Sequence, residues 1–119
     1  MIVGTGIDMI ELKRIKQVVS HQPRFLERVL TPFEQKRFSS LNGNRRFEYL
    51  AGRFAAKEAM AKALGVGIGA ELSWQDMEIK SDEKGKPFLT SPYPYLCHLS
   101  ISHTKEYAIA QVVLESSSS

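Results

Sequence analysis

The segment RFAAKEAMAKALG, from Arg53 to Gly65, constrains the fold of this chain more than any other feature. Alanine, leucine, lysine and glutamate are strong helix formers, and the pattern reaches back to Arg45. It predicts one central helix from Arg45 to Leu64, about twenty residues and roughly 30 Å long. Gly65 is expected to cap its C-terminus, because glycine readily adopts the left-handed conformation found there.

Glu58 is predicted to lie on an apolar face of this helix. At about 100° per residue, its neighbours along one line are Phe47, Ala51, Phe54 and Ala61. A second apolar face, roughly opposite, is formed by Ala56, Ala59, Met60 and Ala63. We therefore expect the helix to be covered on both sides, and another subunit is a candidate for one cover. A carboxylate buried there must find a cation, a metal or a proton, because an unpaired charge costs several kcal/mol.

Two explanations of Glu58 are open on spacing alone. Lys62 follows it at i+4, an ion pair worth a few tenths of a kcal/mol on an exposed helix. Alternatively, Glu58 and a second oxygen ligand bind Mg²⁺, which proteins hold through one or two carboxylates while phosphates and water complete its shell. Asp8 is the best second ligand, because it is predicted to end a glycine-containing strand on the face opposite Val3 and Ile7.

The remaining pattern predicts an α+β fold, with helices in the first half and an antiparallel sheet mainly from the second half. Residues 1–8 alternate as a strand in which Gly4 and Gly6 allow close approach. Thr31 and Glu34 form a capping box with Pro32 at the first helical position. The predicted helices are 11–22, 25–30, 32–41 and 45–64, and the predicted later strands are 76–80, 87–90, 96–102 and 107–115.

Composition predicts one globular domain, residues 1–115, followed by a mobile serine tail, residues 116–119. The chain has 43% apolar and 24% charged residues. Its first residues lack a basic region and include Asp8, so we expect neither a signal peptide nor a membrane span. A lone cysteine, Cys97, cannot form an intrachain disulfide, and this fits a reducing cytoplasm.

The charge is unevenly distributed, although the formal net charge is only +3. Between residues 11 and 28, five cations meet only Glu11 and Glu27; the cations are Lys13, Arg14, Lys16, Arg24 and Arg28. This stretch could dock an acidic partner or be a solvated basic helix face. A small nucleic-acid-binding module is the alternative function, although no zinc spacing or RNA-binding signature supports it.

The segment HLSISHTKEY, residues 98–107, places His103 where a predicted strand meets a turn. A histidine there can act as an acid, as a base or as a hydrogen-bond donor to phosphate. Alternatively, its sole role is to cap the turn.

Three motifs in this order resemble the holo-acyl-carrier-protein synthase family, the small 4′-phosphopantetheinyl transferases. They are GTGID followed by ELKRI from Gly4 to Ile15, RFAAKEA with Lys62 and Gly65, and HLSISHT from His98 to Thr104. The resemblance implies the phosphopantetheinyl-transferase fold and transfer of the phosphopantetheine arm of coenzyme A to a serine of apo acyl carrier protein. It also implies that adenosine 3′,5′-bisphosphate leaves, that Mg²⁺ is required and that the product serves fatty acid biosynthesis.

The resemblance also assigns residues. It implies that Asp8 and Glu58 bind the metal and, with Lys62, form the catalytic group. Either Glu58 or a metal-bound water oriented by Asp8 would take the serine proton. The positions implied to contact coenzyme A are Lys57, Lys62, Gly65, Gly85, Lys86, Pro87 and His103, of which the Gly85–Pro87 turn and His103 come from a neighbouring subunit.

For partners, the resemblance implies a cytoplasmic homotrimer with active sites between subunits, acting on no nucleic acid and no membrane. The acidic carrier protein would dock on Arg14, with Lys13, Arg24 and Arg28 around it. Two positions depart from the family pattern: Lys84 stands where asparagine is frequent, and Phe54 where tryptophan is frequent.

Overall fold

The structure is a computed structural model that describes residues 1–116. Its helices are α1 (Leu12–His21), α2 (Phe25–Val29), α3 (Pro32–Ser40) and α4 (Asn44–Leu64), and a short 3-10 turn spans Trp74–Asp76. Its strands are β1 (Ile2–Glu11), β2 (Glu78–Ser81), β3 (Pro87–Thr90), β4 (Tyr95–His103) and β5 (Tyr107–Ser116). The predicted α+β class is confirmed, with the helices in the first half of the chain.

The main sheet has the order β1-β5-β4 and is antiparallel throughout. The N-terminal strand β1 pairs with the C-terminal strand β5, so Asp8 lies opposite Ala110. A separate hairpin pairs β2 with β3. This topology joins the first and last strands and places Asp8 within a paired strand.

The inner face of β1 packs directly on α4 because it carries two glycines. A Cβ added to Gly4 would lie 2.0 Å from the carbonyl oxygen of Ala63, and one added to Gly6 would lie 1.9 Å from that of Ala59. No other residue type has room there. The predicted close approach is confirmed, and it brings β1 near enough to α4 for their side chains to share a site.

Gly6→Ala is expected to destabilise the fold by about 2–3 kcal/mol, the upper part of the range for overpacked cores, because the methyl group would push β1 away from α4. Urea denaturation measures the change. Gly67→Ala is the matched control, since a Cβ at Gly67 meets nothing within 4 Å. Equal stability of the two variants would contradict the close packing.

Both apolar faces of α4 are covered by this chain itself. Ala56, Ala59 and Met60 lie in a core with the sheet, and Leu50 and Ala51 lie in a second core with α1, α2 and α3. The two-sided apolar pattern therefore needs no second subunit, which corrects that part of the sequence interpretation. The outer face of β1 is one exposed apolar surface, where Ile7 and Met9 are each 60% exposed.

Several boundaries differ from the predicted ones. Asp8 does not end its strand, because β1 continues to Glu11. Ser116, predicted to begin a mobile tail, ends β5, and its N–H donates to the Met1 carbonyl at 2.9 Å. The other tail residues, 117–119, lie outside the described residues. Within residues 1–116, no helix has both the length and the apolarity needed to cross a membrane.

Candidate active site

Asp8 and Glu58 line one cleft, which has a volume of about 570 Å³. Asp8 is on the inner face of β1, two residues after Gly6, and Glu58 is on α4, one residue before Ala59. The glycine-mediated contact of strand and helix thus brings the two carboxylates together from positions fifty residues apart in sequence. The predicted pair exists in the fold.

The electrostatics of Glu58 reflect this neighbour. Burial raises the pKa of the Glu58 carboxyl, the Asp8 charge raises it further, and Lys62 opposes the rise. Two carboxylates in one partly buried cleft repel each other, so the ionised pair is stabilised by any cation that joins it.

Lys62 does not form the i+4 ion pair with Glu58 that spacing allows. Its Nζ lies 3.0 Å from Asp8 Oδ1 and donates to the Ile7 carbonyl at 3.0 Å. The ammonium therefore reaches from α4 to β1, at the edge of the cleft.

The two carboxylates fit a magnesium ion. Among residues 1–116, no group of three or more histidine, cysteine or acidic side chains could hold a metal. Mg²⁺ does not need such a group, because it uses one or two carboxylates and takes its other ligands from phosphates and water. The donor chemistry and the mutual repulsion of Asp8 and Glu58 both favour a hard cation here.

The raised pKa of Glu58 predicts a stability gain for Glu58→Gln in metal-free protein. A carboxyl whose folded pKa is above its unfolded value stabilises the fold at acid pH and loses that contribution as pH rises through the folded pKa. We expect Glu58→Gln to unfold a few degrees higher than wild type near neutral pH with chelator, and the difference to shrink toward pH 4.5, the ordinary pKa of the side chain. Thermal unfolding over this range measures it; a constant difference would contradict the shift.

The position of Lys57 does not fit the coenzyme A contact that the resemblance implied. The side chain is fully buried, at 0% exposure, and its Nζ lies 2.6 Å from Glu34 Oε1. The same nitrogen donates to the carbonyls of Val29 at 2.8 Å and Trp74 at 3.2 Å. Every donor of the ammonium is thus engaged inside the protein, and the side chain has no exposed surface to offer a phosphate.

Glu34 has a buried ion pair that the sequence does not predict. The predicted capping box is confirmed, with Glu34 Oε1 accepting from the Thr31 N–H at 2.9 Å. The same carboxylate also accepts from the Ile79 N–H at 2.8 Å and pairs with Lys57. One buried ion pair therefore ties α3, β2 and the end of α2 to α4, one residue from Glu58.

The rest of the cleft wall is mixed: apolar side chains such as Ile15, Val18, Phe25 and Phe54 line it together with Glu11 and Gln22. Phe54, where the family often has tryptophan, stacks on Trp74 at a centroid distance of 5.2 Å. Arg14 lines the same cleft. The other predicted docking residues, Lys13, Arg24 and Arg28, are exposed in or beside α1 and α2, and Arg28 donates to Gln22 Oε1 at 3.1 Å.

The remaining predicted ligand contacts lie elsewhere in the chain. Gly65 caps α4 with a left-handed φ of 73°, as predicted. Gly85, with φ 84°, is in the β2–β3 turn, and Lys86 and Pro87 line a separate cleft of about 460 Å³ against β4 and β5. His103 ends β4, with Nε2 3.7 Å from Glu48 Oε2. The turn and His103 do not line the Asp8–Glu58 cleft of their own chain.

Comparison with known proteins identifies the family. Residues 4–112 match the profile of the 4′-phosphopantetheinyl transferase superfamily. The holo-[acyl-carrier-protein] synthase of Halalkalibacterium halodurans is 56% identical over 119 residues, covering 100% of both chains. That of Shouchella clausii is 60% identical over 116 residues, covering 97% of this chain and 99% of the relative.

Solved structures of similar fold belong to the same family. A holo-(acyl-carrier-protein) synthase from Bacillus anthracis, in complex with CoA (3′,5′-ADP), is 54% identical with a TM-score of 0.93, covering 98% of this chain and 99% of that chain. The Helicobacter pylori enzyme in complex with coenzyme A is 37% identical with a TM-score of 0.82, covering 93% and 99%. The sequence motifs, the fold and these likenesses together place the chain in the 4′-phosphopantetheinyl transferase superfamily, among the holo-[acyl-carrier-protein] synthases.

Proposed function

We propose that this protein transfers the 4′-phosphopantetheine arm of coenzyme A to a serine of apo acyl carrier protein, at the cleft lined by Asp8 and Glu58, for fatty acid biosynthesis in the cytoplasm. The observation that carries the proposal is the convergence of two carboxylates, one of them with a raised pKa, in one cleft whose wall also includes apolar side chains. Relatives solved with coenzyme A or its 3′,5′-ADP portion support the donor.

The reaction forms a bond from the serine oxygen to the β-phosphorus of coenzyme A and breaks the bond to the bridging pyrophosphate oxygen. Glu58 is suited to accept the serine proton, because it is a carboxylate that lines the cleft beside Asp8. Lys62 is half exposed, at 54%, and its ammonium can neutralise the leaving adenosine 3′,5′-bisphosphate.

Asp8 and Glu58 are the residues that would hold Mg²⁺. When bound, the ion would supply positive charge to the phosphate oxygens as charge develops on the pyrophosphate. The test monitors, by chromatography, the release of adenosine 3′,5′-bisphosphate in reactions that contain apo carrier protein. Release should stop with chelator and return with excess MgCl₂; equal release with chelator would refute the metal requirement.

Arg14→Glu is expected to raise KM for carrier protein by about tenfold or more and to leave KM for coenzyme A nearly unchanged. Reversing one charge at a steered interface typically costs this much, and Arg14 lines the cleft where an acidic partner would present its serine. Lys36→Glu is the matched control, since Lys36 is exposed on α3 away from that lining. An equal loss of both affinities would place Arg14 at the nucleotide instead.

The working assembly that we propose is a homotrimer. The apolar outer face of β1, with Ile7 and Met9 each 60% exposed, is suited to association. The β2–β3 turn and His103 lie outside the Asp8–Glu58 cleft of their own chain, which is the arrangement expected if they complete the cleft of a neighbour.

A further inference from the structure

Lys62 binds Asp8 in a geometry that its position on α4 does not require. Glu58 is one helical turn before Lys62, and a lysine at i+4 can pair with such a glutamate at little cost. The Lys62 ammonium instead crosses to β1, where it lies 3.0 Å from both Asp8 Oδ1 and the Ile7 carbonyl oxygen. The Asp8 carboxylate therefore already has a cation in contact with it.

The two partners differ in their freedom to move. The Asp8 side chain is 17% exposed and is fixed on a strand between two paired neighbours, whereas the Lys62 side chain is 54% exposed on a flexible stem. An ion pair with one exposed, flexible member is weak and is readily broken. Lys62 can leave Asp8 without any change in the backbone.

A divalent cation shared by Asp8 and Glu58 would lie within a few ångströms of this ammonium. Like charges at that separation repel, even when water screens them. The Asp8 carboxylate can bind either the Lys62 ammonium or the metal ion. Binding both at once is unfavourable because the two cations repel each other.

We infer that Lys62 is the resident counter-ion of Asp8, which a divalent cation displaces as it binds, and that the displacement frees the ammonium to meet the phosphates of the donor. The inference rests on the proposed metal site at Asp8 and Glu58. Lys62 then has a role before the reaction. In the empty enzyme it lowers the affinity for the metal, and its ammonium becomes available to the donor phosphates only when the metal is present.

A different role for Lys62 predicts the opposite result. If the lysine positions the Asp8 carboxylate for the metal, removing it weakens metal binding. If it competes with the metal, removing it strengthens binding. Metal affinity in the absence of coenzyme A distinguishes the two, and this measurement does not depend on transfer activity.

The experiment is titration of the full-length protein with MnCl₂ by isothermal calorimetry, followed by competition with MgCl₂. Lys62→Met is expected to lower the apparent Kd for the metal by roughly three- to tenfold, the size of one nearby charge in screened surroundings. Lys62→Arg keeps the cation and should bind metal no more tightly than wild type. Lys80→Met is the charge-matched control, because Lys80 pairs with Glu78 at 3.5 Å outside the cleft.

The outcomes separate the inference from the proposed function. The exchange is supported if Lys62→Met binds metal more tightly than wild type, Lys62→Arg and Lys80→Met do not, and this gain in affinity disappears in Lys62→Met/Asp8→Asn. Unchanged or weaker binding by Lys62→Met, with a wild type that binds metal, overturns the exchange and leaves the metal site standing. A wild type that binds no metal at any accessible concentration overturns both.

Discussion

Asp8→Ala and Glu58→Ala are each expected to lower kcat/KM for phosphopantetheine transfer by more than about 100-fold, while both variants stay folded. The two side chains share one cleft, and the Asp8 charge acts on the Glu58 carboxyl, so both are placed to offer oxygens to one cation. Losing either would leave the pyrophosphate without its main charge stabilisation. For Glu58, the proton acceptor would be lost as well.

The control for this loss is Glu71→Ala, which removes an exposed carboxylate after the end of α4. It should retain activity within about twofold of wild type, as surface substitutions away from a site usually do. Circular dichroism and urea unfolding establish that the variants are folded. Near-normal transfer by Asp8→Ala or Glu58→Ala in MgCl₂ would contradict the metal assignment.

Lys57→Met is expected to destabilise the protein by about 3–5 kcal/mol, because it leaves the Glu34 carboxylate charged and unpaired in the interior. Both members of the pair are fully buried, and burial lowers the pKa of Lys57 against the raising effect of Glu34. Methionine keeps most of the apolar stem, so the loss of charge dominates the result. Urea denaturation measures the free energy of unfolding.

Lys57→Met/Glu34→Gln is the matched comparison, and it should be more stable than Lys57→Met because no buried charge is left without a partner. Under conditions where Lys57→Met is folded, KM for coenzyme A should stay within about twofold of wild type, because Lys57 is fully buried and paired with Glu34. A large rise in that KM with stability intact would restore the phosphate contact that the resemblance implied.

Much of the fold is predictable because local signals agree with packing. The α4 pattern ends at Gly65, and the left-handed φ of 73° there is the conformation for which glycine is suited. Gly4 and Gly6 are predicted points of close approach, and the carbonyls of Ala63 and Ala59 occupy the space a side chain would need. The same contact explains why Asp8 on the strand and Glu58 on the helix line one cleft, while their joint binding of a metal stays a prediction.

The role of Lys57 cannot be predicted from the sequence, because its hydrogen-bond partners belong to elements that are distant along the chain. Helical spacing places a lysine beside Glu58, but its partners are on α3, at the end of α2 and before β2. The capping box is visible as Thr31 and Glu34, but a capping glutamate is usually solvated, and nothing local indicates that this one is buried. Long-range ion pairs leave no periodic signal.

The sequence does not determine the ion-pair partner of Lys62, for a similar reason. Spacing on α4 favours Glu58, while the observed partner is on β1, brought near by the glycine contact. The turn at Gly85 and the position of His103 at the end of β4 follow from the sequence pattern, but their part in ligand binding stays a prediction.

The most direct measurement is the intact mass of an apo acyl carrier protein after incubation with coenzyme A, MgCl₂ and this protein, with Glu58→Gln run in parallel. We predict a gain of one phosphopantetheine group on the carrier serine with wild type, and no gain with Glu58→Gln or with chelator. An unchanged carrier mass with folded wild-type protein, across several apo carriers, would contradict the proposed transfer.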